Sequence, residues 1–253
     1  MIRSGLVSIT FRTLSVAEVI AAVAAAKLDG IEWGSDIHCP AGDIPAARDV
    51  ATQTADAGLA VAAYGSYYRL GEDEPFEPIL DSAAALGAPT IRVWAGRSLS
   101  SADATDADRS RVADDLNRIA AMSAEAGIAV ALEYHANTLT DTLDSALALL
   151  ADAPGVACYW QPPFKSAVAE NLEAIDALAP RLSNIHVFHW IDDGTDTIDR
   201  RPLAEGAAQW SDYISAITEM PGDRWAMLEF VRDESLDAFT ADAATLRNLL
   251  ADL

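Results

Sequence analysis

The chain has 253 residues, 51% of them hydrophobic, with 39 acidic residues against 17 basic ones and a formal net charge of −22. Such a surface repels phosphate backbones and excludes a nucleic-acid binder, which depends on the opposite sign. No apolar run reaches the roughly 18 residues of a membrane span. Cys39 and Cys158 form neither a CxxC motif nor a disulfide framework, so a reducing cytoplasm is the expected location.

In chain order, short β-branched or aromatic runs alternate with Ala/Leu-rich stretches of helical period. The opening MIRSGLVSITF has neither the length nor the cleavage site of a secretory signal, and it supplies a first strand at 5–10. A helix over 15–26 begins after Ser15, with Glu18 at capping-box spacing. GIEW at 30–33 is the second strand, followed by a helix at 44–57. The third strand spans 59–68 and precedes a helix at 76–86; the fourth spans 90–96 and precedes a helix at 105–126. Gly58, Gly87 and Gly127 stand where three of these helices should stop. The remaining strands fall at 129–135, 156–161, 184–190 and 224–230, with helices at 141–151, 167–178, 206–219 and 236–252.

Eight strands alternating with eight helices predict parallel strands joined by crossovers. The simplest closure is an α/β fold, a (βα)8 TIM barrel forming one domain over 1–253. An open doubly wound sheet is the alternative, but the phosphate-binding patterns GxGxxG and GxxxxGK are both absent.

In a barrel, the C-terminal strand ends face the active site. Polar residues gather there: Glu133 and His135 on the fifth strand, Gln161 on the sixth, His186 on the seventh and Glu229 on the eighth. Period-two alternation puts Glu133 and His135 on one face. Burying two carboxylates without a cation is costly. Two carboxylates, an imidazole and an amide oxygen make a ligand set for one divalent metal ion, Mn, Mg, Co or Zn. Taken singly, each has a plainer explanation, since a histidine near a strand end is more often a hydrogen-bonded core residue. Arg92 has the parity of Trp94, and a buried arginine there requires an acidic partner such as Glu32.

The segments LEYHANTLTDT, YWQPP, NIHVFHW, RRPLAEGAAQW and LEFVRDES resemble the xylose isomerase-like TIM barrel superfamily, the sugar phosphate isomerase/epimerase group, across essentially the whole chain. The resemblance implies a metal held by Glu133, Gln161, His186 and Glu229. It departs from the family pattern at Gln161, where an acidic ligand is expected. It also implies an isomerase or epimerase of a small sugar or polyol. In that chemistry a carboxylate removes a proton next to a carbonyl, and a cation stabilises the enediolate. Glu133 and Glu229 are the expected catalytic pair.

His135, His38, Trp94, Trp160 and Arg201 are the expected substrate contacts. His38 lies in a loop at the barrel mouth, the two tryptophans offer apolar walls, and Arg201 offers charge for a carboxylate or phosphate. For the tryptophans, packing between barrel and helices is an equal alternative; for Arg201, so is a salt bridge to neighbouring aspartates. Two other functions remain open: a polyol dehydratase or lyase using the same site, and a sugar-binding barrel without turnover. The expected partner is a small sugar or polyol, with no nucleic acid and no membrane; assembly into a homo-oligomer stays open.

Overall fold

In the computed structural model, which describes residues 1–192 and 198–251, parallel pairing runs unbroken around a closed barrel. Its strands are β1 (Ile2–Val7), β2 (Gly30–Gly34), β3 (Ala60–Arg69), β4 (Thr90–Trp94), β5 (Ala129–Glu133), β6 (Ala157–Trp160), β7 (Leu182–Val187) and β10 (Arg224–Leu228). Closure comes from β1, which pairs with β2 on one side and with β10 on the other. Two further strands, β8 (His189–Ile191) and β9 (Asp199–Arg201), form an antiparallel hairpin outside the barrel.

Eight helices follow the barrel strands among the described residues: α1 (Val16–Ala25), α2 (Ile44–Asp56), α3 (Glu77–Leu86), α4 (Asp106–Glu125), α5 (Leu143–Asp152), α6 (Val168–Leu178), α7 (Ala207–Thr218) and α8 (Leu236–Ala251). The architecture is the (βα)8 TIM barrel expected from the alternation. Local signals act as read. Ser15 and Glu18 close a reciprocal cap on α1. Gly58, Gly87 and Gly127 take φ of 74°, 72° and 72° after their helices, the left-handed geometry that only glycine adopts cheaply. No helix among the described residues is long and apolar enough to cross a membrane.

Two elements differ from expectation by more than two residues at an end. The first strand occupies Ile2–Val7 rather than 5–10, because Ser8–Phe11 turns into a short 3-10 helix. The Ser8 hydroxyl there accepts from the Gly34 amide at 2.9 Å, tying the turn to the neighbouring strand. The seventh strand stops at Val187 rather than 190, and His189 begins the outer hairpin. Part of the loop preceding Arg201, residues 193–197, lies outside the described residues, as does residue 252 of the last predicted helix.

The core has two layers. Outward strand residues such as Leu6, Ile31, Ile91, Leu132 and Ile185 pack with the helices in a large apolar mantle. Each fully buried aliphatic side chain of this kind contributes about 1.5–3 kcal/mol. The inner layer is smaller, built on Val7, Ile9, Ala62, Ala63, Ala131, Tyr159 and Met227. Its many alanines leave room for charged side chains toward the C-terminal ends of the strands.

Candidate active site

Glu133 ends β5, His186 lies on β7, Glu32 on β2 and Arg92 on β4, and Glu229 directly follows β10. All five are 3% exposed or less. Arg92 Nε donates to Glu32 Oε1 at 2.8 Å, and Arg92 Nη1 donates to Glu133 Oε2. The acidic partner that the sequence required for Arg92 is therefore present, and there are two. His186 Nδ1 lies 3.3 Å from Glu229 Oε2 and 3.6 Å from Glu133 Oε1, while its Nε2 lies 3.6 Å from Glu32 Oε2. Neither ring nitrogen makes a hydrogen bond to a described residue; the imidazole is held by charge.

Burial alone would raise the Glu32 and Glu133 carboxyls, but the Arg92 guanidinium and His186 hold both below the ordinary range. Burial alone would likewise lower His186, but Glu229, Glu133 and Glu32 push it well above its usual value. The five groups form one interlocked charge cluster.

Space for this cluster comes from Gly65 on β3. A Cβ there would lie 2.7 Å from Glu32 Oε1 and 2.8 Å from Arg92 Nη2. The loop after β5 fixes the other side. Thr140 Oγ1 donates to the Glu133 carbonyl, and Thr138 Oγ1 donates to the His135 carbonyl at 2.7 Å. This explains the threonines of the NTLT run: their hydroxyls satisfy carbonyls left unpaired where the strand ends.

Glu133, Glu229, Arg92 and Gln161 open onto a cleft of about 410 Å³ at the barrel mouth. Trp94, His135, Tyr67 and Phe230 contribute to its walls, and Arg12 and Arg200 also line it. Trp94 stacks on His135 with ring centroids 4.3 Å apart, and the Arg69 guanidinium lies 3.4 Å from the Trp94 ring centroid. Burial raises the Tyr67 hydroxyl to about 12, so it stays protonated and can donate a hydrogen bond. Two cleft residues, Asn137 and Phe230, have φ of 58° and 55°. For Phe230, which follows Glu229, that is a strained backbone of the kind that concentrates at functional sites.

Several expected site residues lie elsewhere. His38 is 5% exposed, with Nε2 facing the Leu14 carbonyl at 3.0 Å and Nδ1 facing Ser8 Oγ at 3.1 Å. Since the carbonyl can only accept, Nε2 carries the proton and Nδ1 accepts from Ser8. Both nitrogens are used in holding the turn, and His38 does not line the cleft. Trp160 is fully buried against Trp210 and Tyr213, outside the barrel wall. Strand alternation explains this: Gln161 takes the inward position, and its neighbour faces the helices. Arg201 Nε and Nη2 both bind Asp199 Oδ2, at 2.9 and 2.8 Å, and it is Arg200 that reaches the cleft. Tyr67, Arg12 and Arg200 were not singled out from sequence. Tyr67 alone carried a signal, as a polar aromatic near the end of a long strand.

The metal set implied by the family resemblance does not fit this arrangement. Gln161 Nε2 donates to both Glu133 Oε1 and the Tyr134 carbonyl, each at 3.1 Å. The carbonyl can only accept, which fixes the amide with its nitrogen toward Glu133. Gln161 thus presents a donor where a metal would need a lone pair. Both Glu133 oxygens are already engaged, one by Arg92 and one by Gln161. Among the described residues, no three His, Cys, Asp or Glu side chains form a group that could hold a metal ion.

A model of the family described as xylose isomerase-like TIM barrel matches residues 20–249. No curated protein matches. Among solved structures, the chain is similar to the probable 3-DHS dehydratase AsbF of Bacillus anthracis, at 22% identity and a TM-score of 0.79, covering 98% of this chain and 99% of that one. It is also similar to a xylose isomerase-like TIM barrel protein from Mycobacterium smegmatis in complex with magnesium, at 16% identity and a TM-score of 0.74, covering 99% and 97%. A third is the 3-keto-D-glucoside 4-epimerase YcjR of E. coli, at 16% identity and a TM-score of 0.69, covering 99% and 100%. At these identities the likeness concerns the fold.

Proposed function

The chain belongs to the xylose isomerase-like TIM barrel family, and on that premise we propose that it is an isomerase or epimerase of a small sugar or polyol, moving a proton on and off the carbon beside a carbonyl. The observation that carries this reading is the placement of Glu133 and Glu229. Both carboxylates flank His186 Nδ1, and both open onto one cleft with aromatic walls.

The two carboxylates have unequal tasks. Glu133 accepts from Arg92 and from Gln161, contacts that stabilise its ionised form and make it a poor base. Glu229 has neither contact, and it is the residue that takes the substrate proton. His186 Nδ1, between the two, orients both and keeps positive charge beside them. The protonated Tyr67 hydroxyl is a donor for the oxygen on which negative charge develops. The His135 ring, backed by Trp94, presents a flat surface for the C–H face of a sugar.

A lyase shares this first step and then expels a neighbouring hydroxyl. Arg12 and Arg200 at the cleft suit a substrate bearing a carboxylate, and the similarity to a probable 3-DHS dehydratase belongs with that second reading.

The test is proton exchange. The protein is incubated in D2O with ketohexoses, aldoses and cyclic keto-acids, and loss of C–H signal is followed by NMR. Deuterium entering next to a carbonyl, slowed about 10²–10⁴-fold in Glu229→Gln, supports the proposal. Saturable binding without exchange anywhere in the panel would make the protein a sugar-binding barrel instead.

A further inference from the structure

The cluster at the barrel mouth holds three carboxylates, Glu32, Glu133 and Glu229, in positions where each is almost wholly cut off from water. Some cation must accompany them, because uncompensated buried carboxylates neutralise or unfold the chain. The family resemblance supplies a divalent metal for that purpose. This chain supplies something else. The Arg92 side chain, 1% exposed, reaches in from β4 and joins Glu32 to Glu133 through two of its nitrogens, while Glu229, to which it makes no hydrogen bond, has His186 Nδ1 at 3.3 Å.

We propose that the Arg92 guanidinium, clamped between Glu32 and Glu133, is the resident cation of this barrel and that the protein works without a divalent metal. Three independent features converge on this assignment. The guanidinium fork matches carboxylates more specifically than a point charge does. Gln161 stands where an acidic ligand is expected, and its hydrogen bond to the Tyr134 carbonyl turns its amide nitrogen, not its oxygen, toward Glu133. Gly65 leaves open the space that Glu32 and Arg92 fill, so the ion pair is accommodated by the backbone beside it. A metal would have to take Glu133 Oε1 from Gln161 and rotate that amide away from the Tyr134 carbonyl that orients it.

The inference rests on the cluster and not on which reaction the cleft performs, so it is tested without a substrate. Metal content of the purified protein is measured, followed by melting curves with EDTA and with Mn2+, Co2+, Mg2+ or Zn2+ in excess. The expected result is substoichiometric metal and a Tm that neither EDTA nor any of the four ions moves. Stoichiometric metal removed by EDTA, or a specific rise of roughly 5–10 °C on adding one ion at about a hundred times its Kd, would overturn the proposal. The double variant Arg92→Met, Gln161→Asp removes the guanidinium and restores the missing acid. If the two cations are alternatives, it acquires a Mn2+-dependent rise in Tm that the wild type lacks. A folded double variant indifferent to Mn2+ counts against the proposal. Should the double variant not fold, the wild-type measurements and the Gln161→Asp single variant decide: with Arg92 still in place the single variant gains no Mn2+-dependent rise in Tm, and such a rise would overturn the proposal. Lack of proton exchange with every sugar would refute the proposed activity and leave this assignment untouched.

Discussion

Arg92 Nε and Glu32 Oε1 meet at 2.8 Å inside the barrel, bridging β4 and β2 past the bare backbone of Gly65 on the strand between them. The two residues are 60 positions apart in sequence and both 1% exposed or less. The pair organises the rest of the cluster, because Arg92 also carries Glu133, and Glu133 in turn faces His186 and Gln161. Its dependence on a glycine that itself does no chemistry leads to the first prediction.

Gly65→Ala places a methyl against both members of the pair, at 2.7 and 2.8 Å. Overpacking of this kind costs about 1–3 kcal/mol. Urea denaturation should show that loss. The same variant should also lose activity, because Glu133 moves with Arg92. Wild-type stability and turnover would show that the pair can shift sideways at no cost.

The pH dependence of stability has a definite sign on each side. Glu32 and Glu133 are depressed in the folded state by Arg92 and His186 against the opposing effect of burial. Their contribution is present above the unfolded value of about 4.3 and is lost as pH falls through the folded values. His186 is raised by its three carboxylates. Its contribution is complete below the unfolded value of about 6.5 and is lost only as pH climbs through the raised folded value. The cluster therefore contributes steadily between those two reference values. The stability difference between wild type and Glu32→Gln, measured by denaturant midpoint, should be largest there and should shrink toward pH 3. A difference independent of pH would mean that Glu32 is not ionised in the fold.

Trp94 and His135 form one stacked wall of the cleft. Trp94→Leu and His135→Ala should raise KM roughly three- to tenfold, corresponding to about 0.5–1.5 kcal/mol for an aromatic contact, with little change in kcat. Once a turnover assay exists, Michaelis curves for the two variants provide the check. A fall in kcat alone would move these residues from binding into the chemistry.

Trp160 and His38 should behave in the opposite way. Trp160 is packed against Trp210 and Tyr213, and both nitrogens of His38 are engaged with Leu14 and Ser8. Trp160→Ala should cost about 3–5 kcal/mol, and His38→Ala should leave the Leu14 carbonyl unpaired at a cost of about 1–3 kcal/mol. KM should be unchanged in either variant that remains folded. A selective rise in KM would place that residue back in the substrate site.

By itself the sequence determined the fold. Strand and helix periods, the Ser15–Glu18 cap and the glycines after three helices all depend on nearest neighbours along the chain, and those interactions survive in the folded molecule unchanged. It also determined which positions bring Glu133, Gln161, His186 and Glu229 to the same end of the barrel, because strand parity and barrel topology together fix that much. Only the tertiary structure decided what those residues touch. Whether Gln161 offers its oxygen or its nitrogen depends on the Tyr134 carbonyl, and whether Glu133 is free depends on an arginine arriving from another strand. Trp160 and His38 look like site residues in a linear reading because a strand end and a loop histidine carry no mark of the partner they find. Their partners come from the helix layer and from the first strand's turn. Side-chain direction in three dimensions is set by long-range packing, and a one-dimensional pattern specifies the face of a strand but not the contact made across it.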